Sequence, residues 1–156
     1  MGRPTISVNI LPWEQAQSQA YPIRLAVFIK EQGVPEELEL DEVKEQGVPE
    51  ELELDEEDPL AWHAIAKLDG QAIGTARLQK DGKIGRMAVM RSYRRQGAAG
   101  SLLNALIDFG RQQGIRQFYL HAQMEAIAFY ENFSFTASGP IFREAGIAHQ
   151  AMTKTI

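Results

Sequence analysis

Cysteine is absent from this 156-residue chain, which excludes disulfide frameworks, Cys-ligated zinc, thiol nucleophiles and enzyme-bound thioesters together. No apolar run reaches the roughly 18 residues of a membrane-spanning helix, so no membrane partner is expected. The first residues, MGRPTIS, lack a signal-peptide core and carry Ile6 where a myristoylation signal needs Ser or Thr. Histidine is scarce: His63, His121 and His149 stand alone, without His-x-x-x-His or facial-triad spacing. No metal is expected from them. Gly-x-Gly-x-x-Gly is missing, and no glycine loop is followed by Lys-Ser or Lys-Thr, which ranks ATP or NAD binding low. The expected address is cytoplasmic.

What is present is uneven in charge. Glu31 to Asp58 holds 14 acidic residues against Lys44 alone, a charge of −13 that leaves +8 for the rest of a chain whose total is −5. A basic body suits a polyanionic ligand, whereas an acidic arm would repel a nucleic-acid backbone, so no nucleic-acid partner is expected. Most of the acidity comes from KEQGVPEELELDE, which occurs at Lys30 to Glu42 and again at Lys44 to Glu56, a tandem repeat of period 14 when Val43 and Glu57 are counted. Two copies interrupted by Gly-Val-Pro cannot stack into a solenoid. Three readings stay open for the segment 30–57: a tolerated surface insertion, a lid attracting a cationic substrate, or an arm exchanged in a homodimer.

Residue patterning predicts an α+β domain over 1–156. Thr5 to Ile10 alternates as a strand and Trp13 to Ile29 has helical spacing. AWHAIAKL, QAIGTARLQ and KIGRMAV, separated by Asp69-Gly70 and Asp81-Gly82, predict an antiparallel meander. Ala99, Leu102, Leu103, Leu106 and Ile107 form one stripe of a helix over Gly97 to Gln113. Gln117 to Ala122 follows as a strand, Ala126 to Phe133 as a short helix, and Thr136 to Ile156 as a hairpin. The expected fold is a mixed, mostly antiparallel central sheet flanked by helices.

Within it, RRQGAAG (Arg94, Arg95, Gln96, Gly97, Ala98, Ala99, Gly100) stands between the run Ile84 to Val89 and a helix. Small residues at a helix start let unpaired N–H groups close on an anion, and the helix dipole adds positive charge. The order strand, small-residue loop, helix makes a pyrophosphate cradle.

The pattern Arg94-x-x-Gly97-x-Ala99 after Met87-Ala88-Val89, with Phe129-Tyr130-Glu131 one strand later, resembles the GCN5-related N-acetyltransferase superfamily. AVFIKEQGVP, DEEDP before Trp62-His63, GTARL, IGRMAV, YRRQGAAG, HAQ, AFYENFSF and EAGIAHQAM are similar, over nearly the whole chain, to its small bacterial ElaA-like acetyltransferases. Two departures stand out: the second copy of the 14 residues, and Ser134, where the superfamily usually has Gly.

The resemblance implies acetyl transfer from acetyl-CoA, a cosubstrate, to an amine of a small molecule or peptide, by direct attack. The backbone of Met87, Ala88 and Val89 would pair with the pantetheine arm in a slot opened against the strand Gln117 to Ala122. Arg94 to Gly100 would hold the pyrophosphate. Tyr130 would be the general acid facing the departing thiolate. A base is also needed; motif position offers Glu31, Gln32, His63, Arg77, His121 and Gln123, of which Glu31 and His63 are the leading expectations. The competing reading is a non-catalytic acyl-CoA-binding or regulatory module acting through the acidic segment.

Overall fold

The computed structural model describes residues 5–27, 56–144 and 146–156, so Glu31, Gln32 and the acidic repeats, apart from Glu56 and Glu57, lie outside them. Strand β1 (Ile6–Pro12) runs into helix α1 (Trp13–Arg24). Pro22 sits inside α1 and brings no N–H to its ladder; after Arg24 the helix continues as a π-helical turn over 25–27, and the rest of the expected span to Ile29 lies outside the described residues. The meander is as the patterning predicts: β2 (Trp62–Leu68), β3 (Gln71–Leu78) and β4 (Ile84–Val89). Asp69 and Gly70, with φ of 52° and 80°, give the β2–β3 hairpin the two left-handed residues of a primed turn.

Helix α2 (Ala98–Gln112) crosses back to β5 (Gln117–Gln123). A short helix, α3 (Ile127–Glu131), and the hairpin of β6 (Thr136–Glu144) and β7 (Ile147–Thr155) complete the described chain. α2 forms because its apolar residues recur on one stripe: Leu102, Leu103 and Leu106 are fully buried. Each such burial is worth about 1.5–3 kcal/mol.

The α+β class holds, with its sheet divided in two: β1-β2-β3-β4 and β5-β7-β6, each antiparallel. Among the described residues one parallel bridge joins them, Lys83 to Tyr119. There Gly82 has no room for a side chain, because a Cβ would collide with the Gln117 carbonyl. Past that bridge β4 and β5 share no ladder among the described residues. A bulge accompanies the parting. Thr75 faces Ala88 and Arg77 faces Gly85, so Arg86 and Met87 together oppose Ala76, with Arg86 at φ 48°. Such a bulge bends its strand.

Alternation assigns the faces. The main apolar cluster joins Ala64, Ala76 and Leu78 to the α2 stripe and to Phe118, Leu120 and Ala122 of β5. On the other side, α1 packs Ala16 and Ala20 on Ile65, while Ile23 and Val27 pack on Ala88. Tyr119, His121 and Gln123 therefore face away from α2.

Candidate functional site

The opening between β4 and β5 leads from Val89 into the loop before α2. Arg95 (φ 63°) and Gly97 (φ 89°) take left-handed conformations that turn the chain into the helix. The first helical bond runs from the Ser101 N–H to the Gly97 carbonyl at 3.0 Å. The N–H groups of Ala98, Ala99 and Gly100 precede it, and no side chain caps the helix start. A Cβ at Gly97 would meet nothing within 4 Å. Glycine is needed there for its φ, beside open space of the kind an anion would occupy.

The other loop residues divide. Arg95 and Gln96 are exposed, whereas Ala98 is buried in the main core. Arg94 donates from Nε to the Val89 carbonyl at 3.0 Å, tying the loop to the end of β4. At Gly100 a Cβ would lie 2.9 Å from Phe133, so this glycine seats an aromatic ring.

Tyr130 lies beside β4. Its hydroxyl lies 3.7 Å from the Met87 sulfur, a weak acceptor, and its ring packs edge-on against Phe129 and Phe135. Burial pushes the phenol up to about 12, so at neutral pH it keeps its proton. The turn after α3 is closed by the Phe135 N–H on the Tyr130 carbonyl at 3.1 Å. Ser134 takes φ 69° there, performing the left-handed turn that glycine would make at lower cost.

His63 lies elsewhere. It is fully buried on β2, with Nε2 2.8 Å from the Asp58 carbonyl and the Trp13 ring 4.7 Å away. A carbonyl only accepts, so Nε2 carries the proton and the buried Nδ1 is left without a hydrogen-bond partner. Burial, reinforced by Arg24 and Arg77, pushes this imidazole below its ordinary range. The ring reaches no solvent, and the placement gives it a structural rather than a substrate-facing position.

Around it is a buried ionic group that the sequence did not disclose. Asp58 accepts from Arg24 Nη1 and from Arg77 Nη1, both at 3.0 Å, and Arg24 lies over the Trp13 ring. Arg77, a candidate base by motif position, is thus a cation in an ion pair. In the sequence Asp58 stands at the end of the acidic run, and Arg24 is 34 residues away. The Arg24–Asp58 pair also closes the segment carrying the repeats.

His121 and Gln123 stand on β5, facing away from α2. His121 Nδ1 lies 3.1 Å from Glu144 Oε1, and His149 Nε2 lies 3.9 Å from Glu144 Oε2. Glu144 escaped the sequence reading because nothing in its own neighbourhood ties it to His121, 23 residues away. Among the described residues no group of three His, Cys, Asp or Glu side chains could hold a metal ion, and no helix is long and apolar enough to cross a membrane.

Two antiparallel sheets parting at a bulged strand, with an uncapped helix start beyond the gap, define an acyl-CoA N-acyltransferase fold. Solved structures share it: an acyl-CoA N-acyltransferase from Pseudomonas aeruginosa superposes with a TM-score of 0.76 at 24% identity, over 97% of this chain and 100% of that one. ElaA of Escherichia coli matches at 0.76 and 20%, over 96% and 99%. The chain belongs to the acetyltransferase (GNAT) domain family, whose model matches residues 28–156. A Bacillus subtilis (strain 168) protein named an acetyltransferase is 34% identical over 152 residues, 96% of each chain. The chain is an acyltransferase of that family.

Proposed function

We propose that the protein transfers an acetyl group from acetyl-CoA to an amine of a small molecule or peptide, by direct attack in a ternary complex. The observation that carries this reading is the opening of β4 from β5, continuous with the uncapped start of α2. A strand edge without a ladder partner offers its N–H and C=O groups to the amides of a pantetheine arm. The N–H groups of Ala98 to Gly100 would receive the pyrophosphate, with the exposed Arg95 adding charge. A β4 N–H facing the gap would polarise the thioester carbonyl. Tyr130, neutral over Met87, would stabilise the departing thiolate by a hydrogen bond. His63 is left out of the chemistry. The acidic repeats fit best as an insertion in a segment whose ends are held by Arg24 and Asp58, since loop length costs closure entropy only logarithmically.

Titrating coenzyme A into the wild type and Gly97→Val tests the reading. The substitution forces a β-branched residue to φ 89° and fills the open space. It should weaken coenzyme A binding by about a hundredfold while costing about 1–3 kcal/mol in urea unfolding. Undiminished affinity in a folded Gly97→Val protein would overturn the assignment.

A further inference from the structure

We propose that His121, held in place by Glu144, is the general base that takes the proton from the acceptor amine. This rests on the acetyl-transfer reading above. An alkyl ammonium with a pKa of about 10 is protonated at neutral pH and cannot attack until a base removes a proton.

Four observations converge on His121. First, its face: Phe118, Leu120 and Ala122 of β5 are in the α2-side core, so His121 faces the opposite way, whereas Tyr130 and Met87 belong to the α2-side cluster. Proton donor and proton acceptor thus stand on opposite faces of the gap. Second, its level: Lys83, just before β4, bridges in parallel to Tyr119 of β5, and two residues further along each strand stand Gly85, at the edge of the Arg86–Met87 bulge, and His121.

Third, its tautomer: a carboxylate only accepts, so Nδ1 donates to Glu144, and in the neutral imidazole the lone pair is on Nε2. No described contact occupies that Nε2. Fourth, its access: the His121 side chain is 28% exposed, against 0% for His63 and 9% for the His149 side chain. His149 is turned by a 2.7 Å bond from Nδ1 to the Ile147 carbonyl, and the Phe142 ring packs edge-on against His121. Among the described residues, Glu144 and His149 are the titratable groups that face His121; Tyr119, on the same strand, is bonded to Asp81 instead.

In the step, His121 Nε2 takes one proton from the ammonium. The freed nitrogen pair forms the N–C bond at the thioester carbonyl, and the C–S bond breaks with its electron pair leaving on sulfur. A second N–H proton is lost as the amide forms and the sulfur ends as the thiol. One proton per turnover therefore passes through His121 to solvent. Glu144 acts as a positioning residue.

Two acceptors separate this role from a structural one: ethanolamine, which needs a base, and hydroxylamine, which is unprotonated at neutral pH. Release of coenzyme A from acetyl-CoA is followed with a thiol reagent. His121→Gln should lower kcat with ethanolamine about a hundredfold and with hydroxylamine only a few-fold. Glu144→Gln should lower the ethanolamine kcat about tenfold with KM unchanged. Both variants should bind coenzyme A as the wild type does. An unchanged ratio of ethanolamine to hydroxylamine rates in His121→Gln overturns the proposal. Should neither amine be used, acetyl-CoA hydrolysis supplies the readout, since water too needs a base, and an unaltered hydrolysis rate in His121→Gln overturns it equally. A wild type that binds no coenzyme A would instead remove the acetyl-transfer reading.

Discussion

Two polar clusters face away from α2, and they differ in what covers them. Under α1, Asp58 is clamped between Arg24 and Arg77 with His63 beside it, all four nearly or wholly sealed from solvent. On the second sheet, His121 and Glu144 form one pair that stays reachable. Similar side chains therefore do different work. A charge withdrawn from water must be matched by partners and becomes part of the fold, whereas a partly solvated pair keeps a lone pair for a substrate. The parting of β4 from β5 separates the two clusters.

The comparison predicts that the closed cluster governs stability and the gap governs turnover. Asp58→Ala has the largest expected effect. It removes the acceptor shared by two buried guanidinium groups and should cost about 3–5 kcal/mol in urea unfolding, with coenzyme A affinity retained by the folded fraction. A cost below about 1 kcal/mol would erase the distinction between the clusters.

Tyr130→Phe should do the reverse. Donating a proton from a phenol at about 12 to a thiolate near 8.5 is uphill by about 5 kcal/mol, so in the proposed mechanism Tyr130 would act by hydrogen bonding, and its loss should lower kcat about tenfold to a hundredfold. Stability and coenzyme A affinity should change little. Equal turnover in the two proteins would take Tyr130 out of the mechanism.

Local patterns made most of the fold legible. The Asp69-Gly70 turn, the apolar stripe of α2 and the helix start at Gly97 each depend on residues within a few positions of one another. The convergence of Tyr130 on Met87 was legible only through the resemblance, because 43 residues separate them. Burial was not legible. His63 and His121 both sit in alternating strands, and nothing in either neighbourhood says that α1 closes over one and leaves the other open. That depends on register: Arg77 pairs with His63 across β2 and β3, and Asp58 arrives from a turn whose acidity looked like more of the same run. Glu144 pairs with His121 only because β6 and β5 both flank β7.

The smallest predicted effect tests the closed cluster through pH. His63 is pushed below its ordinary range chiefly by burial, with help from Arg24 and Arg77, while in the unfolded chain it titrates near 6.5. As pH falls through about 6.5, the unfolded state takes up a proton that the folded state refuses. The stability His63 confers is complete above that value and is lost toward lower pH, with a limiting slope of about 1.4 kcal/mol per pH unit. Other groups add their own slopes, so the measurement is a difference. His63→Gln keeps a side-chain N–H for the Asp58 carbonyl but cannot titrate. Between about pH 7.5 and 5.5 it should lose about 1 kcal/mol less than the wild type in urea unfolding. Parallel pH profiles would mean that the folded protein accepts a proton on His63 after all, and the sealed histidine would then resemble the open one.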